Sequence, residues 1–397
     1  MYKYEALMYY NTILFVVATN VSTALSSICI VFSVIIMAVQ MWKTGQYPTV
    51  DVSIMKILGM YGLLQCIIAW LSINPIESFG DVWATMYRFI PLVVAIGYIE
   101  SEKKIKTILM AFVFSVFITD VVGAYQFFVI DNPRPSGMSG SATFYASNLL
   151  MALPILYMIV RDRYMQYIWI PMGVLSFSIV MLILSGTRGG WIALVFVLMM
   201  LIVLEKKYRK IIVAVCFVLG ISFTFCIYVN PFIQSRVITI TDAKYQSNSE
   251  RLLMWQSAVA MFKDYPVHGV GQEQFGYMYN TQYISPLAKE RGDDDYKKGH
   301  GHPHNNFFKF LSEGGIIGIL AFIILHGYFL CRMFLLYRKE KSLESVSCGM
   351  IGMLVFLGIH LEGLTDTNAN QVPIMREYWF LMGLLLTWGN LKLIKQN

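Results

Sequence analysis

Long apolar segments recur along this chain, and they restrict its fold more than any other feature. A bilayer crossing needs about 20 mostly apolar residues. Runs of that kind fall near 53–74, 82–99, 105–130, 142–160, 165–185, 189–204, 210–229, 305–333, 345–364 and 375–393. The opening stretch, 11–42, is too long for one crossing and contains the polar break "TNVSTALSS", so it reads as two helices in a hairpin. The expected fold is an all-α polytopic membrane protein of about twelve transmembrane helices, a single integral membrane domain over residues 1–397. Composition agrees, because 57% of the residues are hydrophobic and only 14% charged, against roughly a quarter charged in soluble domains.

Loop charges orient the spans. Alternate connections carry Lys43; Lys103, Lys104 and Lys106; Arg161 and Arg163; "EKKYRK"; and "YRKEK". The connections between them, "NPIESFGD" and "DNPRPSGMSG", are poor in basic residues. Lys and Arg accumulate on the cytoplasmic side, which places both termini inside and the long loop 230–304 outside. The net charge of +7 therefore reads as membrane anchors, and no nucleic-acid partner is expected. All six cysteines lie in apolar stretches, which argues against a disulfide framework or a cysteine metal site. The start "MYKYEALMYY" lacks the features of a cleavable signal, so the first apolar segment is expected to stay as an anchor.

Within the outer loop, "SNSERLLMWQSAVAMFKDYP" predicts a helix. Ser247 and Glu250 have capping-box spacing, and Leu252, Trp255, Val259 and Phe262 form an apolar stripe. Pro266 ends the helix, with Gly269 and Gly271 following. It should lie on the membrane–water boundary, over the spans.

Arg188, in "LSGTRGGW", stands between two spans on the side where basic anchors are not needed. Alone it reads as a snorkelling arginine. Beside Gly186, Gly189 and Gly190, which remove side-chain bulk, it reads as part of an anion site at a helix start. Arg251 repeats the arrangement in the first turn of the loop helix. Alone it is an ordinary solvated charge. Together the two arginines point to a diphosphate or carboxylate, since the planar guanidinium binds such oxygens in pairs.

Three of the six histidines, His300, His302 and His304, stand against the start of an apolar helix. They could bind a metal, but no nearby carboxylate or cysteine obviously completes a shell, and neither a metal nor another cofactor is expected. They could cap the helix or bond lipid headgroups. His304 is favoured as a general base, with Asn305 and Asn306 placed to orient its ring. The run "RGDDDYKKG" (291–299) reads as a solvated loop. Ionisable residues in or near the spans are Arg88, Asp120, Glu362, Asp366 and Arg376. Glu362 and Asp366 share a helix face, so an Asp366–Arg376 ion pair and the binding of substrate hydroxyls are both open.

The segments "LSGTRGGWIALV", "SERLLMWQSAVAMFKDYPVHGVGQEQF" and "HPHNNFFKFLSEGGIIGIL" resemble, in order and spacing, the signature regions of the O-antigen ligase and polymerase superfamily. "RPSGMSGSATFYASNLLMALP" is similar to the region just before them. The resemblance spans roughly residues 134–320 and implies a bacterial inner-membrane glycosyltransferase of GT-C type with its active site facing the periplasm. Its donor would be a glycan on undecaprenyl diphosphate. Arg188 and Arg251 match the diphosphate-binding arginines of the family, and His304 matches the histidine of its His-Asn element, with His302 the other candidate base.

The mechanism expected is inverting and independent of metal. His304 takes a proton from the acceptor hydroxyl, and the two arginines offset charge on the leaving diphosphate. A lipid A–core acceptor (a ligase) is preferred to a second lipid-linked glycan (a polymerase). The outer loop's Arg236, Lys244, Lys263, Lys289, Arg291, Lys297 and Lys298 favour a phosphate-rich acceptor, partly cancelled by Asp293 to Asp295. A lipid-linked glycan transporter is the less favoured class, since it needs charges along a path through the membrane.

Overall fold

The computed structural model describes residues 2–290, 301–340 and 344–395. The "RGDDDYKKG" run, His300 and Lys341 lie outside the described residues, as do Arg291, Lys297 and Lys298. Every regular element among the described residues is helical. The chain runs through α1 (Tyr2–Val21), α2 (Thr23–Thr44), α3 (Val52–Trp70), α4 (Pro75–Met86), α5 (Ile90–Tyr98) and α6 (Glu102–Phe128). It continues through α7 (Ala142–Arg161), α8 (Trp169–Leu184), α9 (Arg188–Leu204) and α10 (Arg209–Val229). The long connection carries α11 (Pro231–Ile238), α12 (Gln246–Asp264), α13 (Phe275–Met278) and α14 (Pro286–Glu290). The last helices are α15 (Asn306–Lys339), α16 (Cys348–Glu362) and α17 (Val372–Ile394).

Seven helical segments are long and apolar enough to cross a membrane: α2, α3, Pro75–Tyr98, α6, α7, α10 and α15. Helices α8, α9 and α16 are apolar but shorter. The polar break near the N-terminus is a chain reversal, where the Ser22 hydroxyl accepts from the Leu25 N–H at 3.3 Å and starts α2. Helix α17 sits centrally against α5, α16 and α1, burying Tyr378, Trp379, Phe380 and Trp388. Burial grades outward from there, with the most apolar stretch of α7 78% buried and that of α10 only 6%. Helix α10 thus presents nearly its whole apolar surface outward, as a lipid-facing helix does.

The long connection forms its own small core, in which Leu253, Met254, Ala258 and Met261 of α12 meet Val270, Phe275, Met278 and Tyr279. The buried stripe of α12 is therefore rotated about one residue from the expected one, and Leu252 is exposed. The expected capping box does not form, since α12 begins at Gln246 and the Ser247 hydroxyl instead accepts from Arg188. A tertiary contact outcompetes the local cap.

Helix α15 is broken at Gly315, whose φ of +58° lies in the left-handed region that only glycine enters freely. The segment 266–271 fills the break. Ile316 and Ile317 donate to the carbonyls of Pro266 and Val267, while the Ser312 and Glu313 carbonyls accept from Val270 and Gly271. Four backbone groups beside the kink are thereby satisfied within the protein. A Cβ on Gly315 would lie 2.5 Å from the Val267 carbonyl carbon, so no other residue fits. The long connection is locked onto the helix whose first turn follows His304.

Candidate active site

Asn305 caps α15, its Oδ1 accepting from the N–H groups of Phe307 at 2.8 Å and Phe308 at 3.2 Å. Its Nδ2 donates to the Leu364 carbonyl, and its own N–H donates to the Thr367 hydroxyl. Asn306 donates through its N–H to the Gly363 carbonyl and through its Nδ2 to Asn368 Oδ1 at 2.7 Å. The two asparagines therefore stitch the α16–α17 connection to the start of α15. They do not orient the His304 ring, as their sequence positions had implied. They bring Asp366 to it instead, with His304 Nδ1 3.1 Å from Asp366 Oδ1. Trp255 of α12 grips the same segment, donating to the Pro303 carbonyl at 2.8 Å and stacking on Phe308. His304 itself has a φ of +48°, a left-handed backbone that non-glycine residues adopt only when their surroundings hold them there.

Burial pushes the Asp366 carboxyl up, but the hydrogen bond and charge of His304, with Thr143 and the Thr367 amide, prevail and hold it at about 2. An ionised carboxylate can only accept, so in the neutral form of the His304 ring the proton sits on Nδ1 and Nε2 carries the free lone pair. His302 packs edge-on against His304 with ring centroids 4.5 Å apart, and its Nε2 stays 4.0 Å from Asp366, beyond hydrogen-bond reach. Burial, then neighbouring His304, pushes the His302 imidazole down to about 4 despite Asp366. An unfolded chain would take up that proton near pH 6.5. The folded state should therefore lose stability as pH falls from 6.5 towards 4, with no further loss below. His302→Gln is expected to flatten the decline in melting temperature over that window. An unchanged slope in the variant would contradict the half-buried, neutral imidazole.

These groups border a cavity of about 400 Å³ at the end of the helix bundle, also lined by Arg134, Arg188, Arg236, Arg251 and Glu362. Arg188, in the first turn of α9, donates through Nη1 to the Thr239 carbonyl at 2.8 Å. Its Nη2 donates to Ser247 at 2.9 Å and Asn248 at 2.7 Å, and it lies over the Tyr245 ring. Arg188 thus ties α9 to the long connection as well as bordering the cavity. Arg236 donates to the Gly186 carbonyl at 3.0 Å. Arg251 is pushed down chiefly by burial, against the pull of Asp366 and Glu362. Arg134 is pushed down by burial and by the charges of Arg236 and Arg251. Four guanidinium groups crowd one space, and a multivalent anion there would relieve their repulsion.

Glu362 is fully buried. Its Oε2 accepts from Ser147 at 2.9 Å and from Asn368 at 2.5 Å, while Oε1 has no partner among the described residues. Arg376 lies elsewhere. Its guanidinium donates to Ser26 at 2.8 Å, Ser27 at 3.0 Å and Tyr87, so the Asp366–Arg376 ion pair does not form. Helix α17 turns that side chain towards the α1–α2 reversal, and Arg376 is not among the residues that line the cavity. Asp120 is likewise structural, accepting from Tyr145 and Ser178 at 2.5 Å each, and Arg88 donates to Asn370 at 3.3 Å.

The glycines around Arg188 are tightly packed. A Cβ on Gly186 would meet the Phe232 ring, one on Gly189 would lie 1.9 Å from the Thr365 hydroxyl, and one on Gly190 would meet Ala146 and Leu182. They allow close packing, and Gly189 also lines the cavity beside Arg188. The expectation that no carboxylate stands near the histidines is overturned by Asp366, since ligand atoms of His302, His304 and Asp366 lie within 4.8 Å of one another. Sequence reasoning passed over Arg134 as a candidate and counted Arg236 only as a loop charge. For Arg134 the available signal was its place at the head of "RPSGMSG".

Residues 173–323 match the O-antigen ligase family. An uncharacterized protein of Haemophilus influenzae is 24% identical over 255 residues, covering 60% of this chain and 61% of that protein. A Rickettsia conorii protein named "Putative polysaccharide ligase" is 25% identical over 145 residues, covering 36% of this chain and 31% of that protein. The chain thus spans less than two thirds of either relative.

Proposed function

We propose, taking the match to the O-antigen ligase family as premise, that this chain is an inverting glycosyltransferase that moves a glycan from undecaprenyl diphosphate to a sugar hydroxyl. The observation that carries this reading is a single cavity joining a carboxylate-held imidazole to four arginines, drawn from five separate stretches of chain. His304 Nε2 accepts the proton of the acceptor hydroxyl as its oxygen bonds the anomeric carbon. The bond from that carbon to the diphosphate breaks, the electron pair leaves with the diphosphate, and the anomeric configuration inverts. Arg251, Arg134 and Arg236, with Arg188, offset the developing charge, so the transfer requires no metal. Glu362, which borders the cavity and whose Oε1 is unpartnered among the described residues, would bind a sugar hydroxyl. His302 shapes and desolvates the base.

The same reading gives about twelve crossings in a GT-C-type arrangement, with α1, α17 and the three shorter apolar helices joining the seven longer segments. It sets the chain in the bacterial inner membrane with the cavity facing the periplasm, where a lipid diphosphate supplies the energy without nucleotides. We favour lipid A–core as the acceptor, hence a ligase, because Lys244, Lys263 and Lys289 of the long connection suit an acceptor bearing phosphate. Deleting the gene and running the lipopolysaccharide on a gel tests this. A ligase mutant should show bare core, with polymerised glycan stranded on the carrier lipid. Core bearing a single repeat would assign the chain as a polymerase instead.

A further inference from the structure

A second cavity, of about 460 Å³, opens between the start of α4 and the segment 265–282, and it shares no lining residue with the arginine–histidine cavity. Its polar and aromatic walls are Asn74, Glu77, Tyr265, Gln274, Tyr277 and Gln282. Among the described residues no cation lines it, which makes it a poor match for a phosphate. Three carboxamides and a carboxylate offer paired donors and acceptors, and two phenol rings offer flat apolar faces. That combination matches a neutral sugar, whose hydroxyls line its edge and whose C–H groups line its face. Gln274 is buried and donates to Glu77 at 3.1 Å, which fixes the orientation of both groups. Tyr277, by contrast, is 62% exposed, an aromatic face with little packing to explain it.

The walls are held rigidly. Glu273, next to Gln274, bonds Lys309 at 2.8 Å, and Lys309 also pairs with Glu313 at 2.8 Å beside the α15 break. A preorganised wall costs a ligand less to bind. Helix α12 connects the two cavities, because Arg251 in its second turn lines one and Tyr265 just past its end lines the other. At about 1.5 Å of rise per residue, that separation is roughly 21 Å. A single sugar cannot reach both sites, but a chain of sugars can.

We propose that this second cavity is a remote saccharide site that holds the glycan several units away from the reacting sugar. The proposal rests on the reading of the chain as a glycan transferase. Tyr277→Ala combined with Gln282→Ala tests it, since both side chains are exposed and their loss leaves the core intact. The full chain in detergent is mixed with glycan released by mild acid from the carrier lipid of the same cells, and binding is read by saturation-transfer NMR. In parallel, KM is measured for donors bearing one repeat and many repeats. The double variant should lose the saturation transfer and raise KM for the long donor roughly tenfold, with kcat and the single-repeat KM unchanged. Retained saturation transfer, or an equal change for both donor lengths, would overturn the proposal. If the unmodified chain transfers no glycan at all, the transferase reading fails, and the NMR comparison still decides the saccharide site.

Discussion

His304→Ala is expected to lower the transfer rate by roughly 10²- to 10⁴-fold, the usual contribution of a positioned general base. Membrane insertion should be unaffected, because the ring makes one side-chain hydrogen bond, to Asp366, and α15 keeps its Asn305 cap. His302→Ala should be milder, since its Nε2 stands 4.0 Å from the carboxylate and nothing fixes its proton. Asp366→Asn provides the internal control. An amide in that place can donate to Nδ1, which favours the wrong tautomer and removes the lone pair from Nε2. Its rate should therefore fall towards that of His304→Ala while the fold is kept. Comparable rates for His304→Ala and the unmodified chain, with a collapse in His302→Ala, would exchange the roles of the two imidazoles.

Arg251→Ala is expected to cost roughly 10²- to 10³-fold in rate, the effect of removing one preorganised donor from a developing negative charge. The conservative substitutions separate the two arginines first singled out. Arg251→Lys should reduce activity at an unchanged melting temperature. Arg188→Lys should reduce both, because a lysine cannot span Thr239, Ser247 and Asn248 as the guanidinium does, and the outer connection then loosens. Equal melting temperatures for both lysine variants would mean that the Arg188 contacts do not hold the connection in place.

The membrane character was readable because it rests on local composition, and a run of twenty apolar residues is apolar in any context. The outer helix was readable in extent for the same reason, but its buried face was not. Leu253, Met254 and Met261 face inward because Phe275 and Met278, a dozen or more residues further on, fold back over them. Arg188, Arg251, His302 and His304 were visible as unusual residues at helix starts, and they do converge on one cavity. Their partners were hidden by distance along the chain. Asp366 lies 62 residues beyond His304 and is delivered to it by asparagines whose hydrogen bonds no local pattern encodes. The break at Gly315 was equally hidden, because "EGG" inside an apolar run does not reveal that another segment will supply the missing hydrogen-bond partners.

The most direct test of the account is transfer by the purified chain alone. The protein would be placed in vesicles with EDTA, undecaprenyl-diphosphate-linked glycan and lipid A–core, and the lipids analysed by mass spectrometry and NMR. The account predicts glycan joined to core with inverted anomeric configuration and undecaprenyl diphosphate released in equal amount. Donor left intact, or transfer that appears only when a divalent ion is restored, would contradict it.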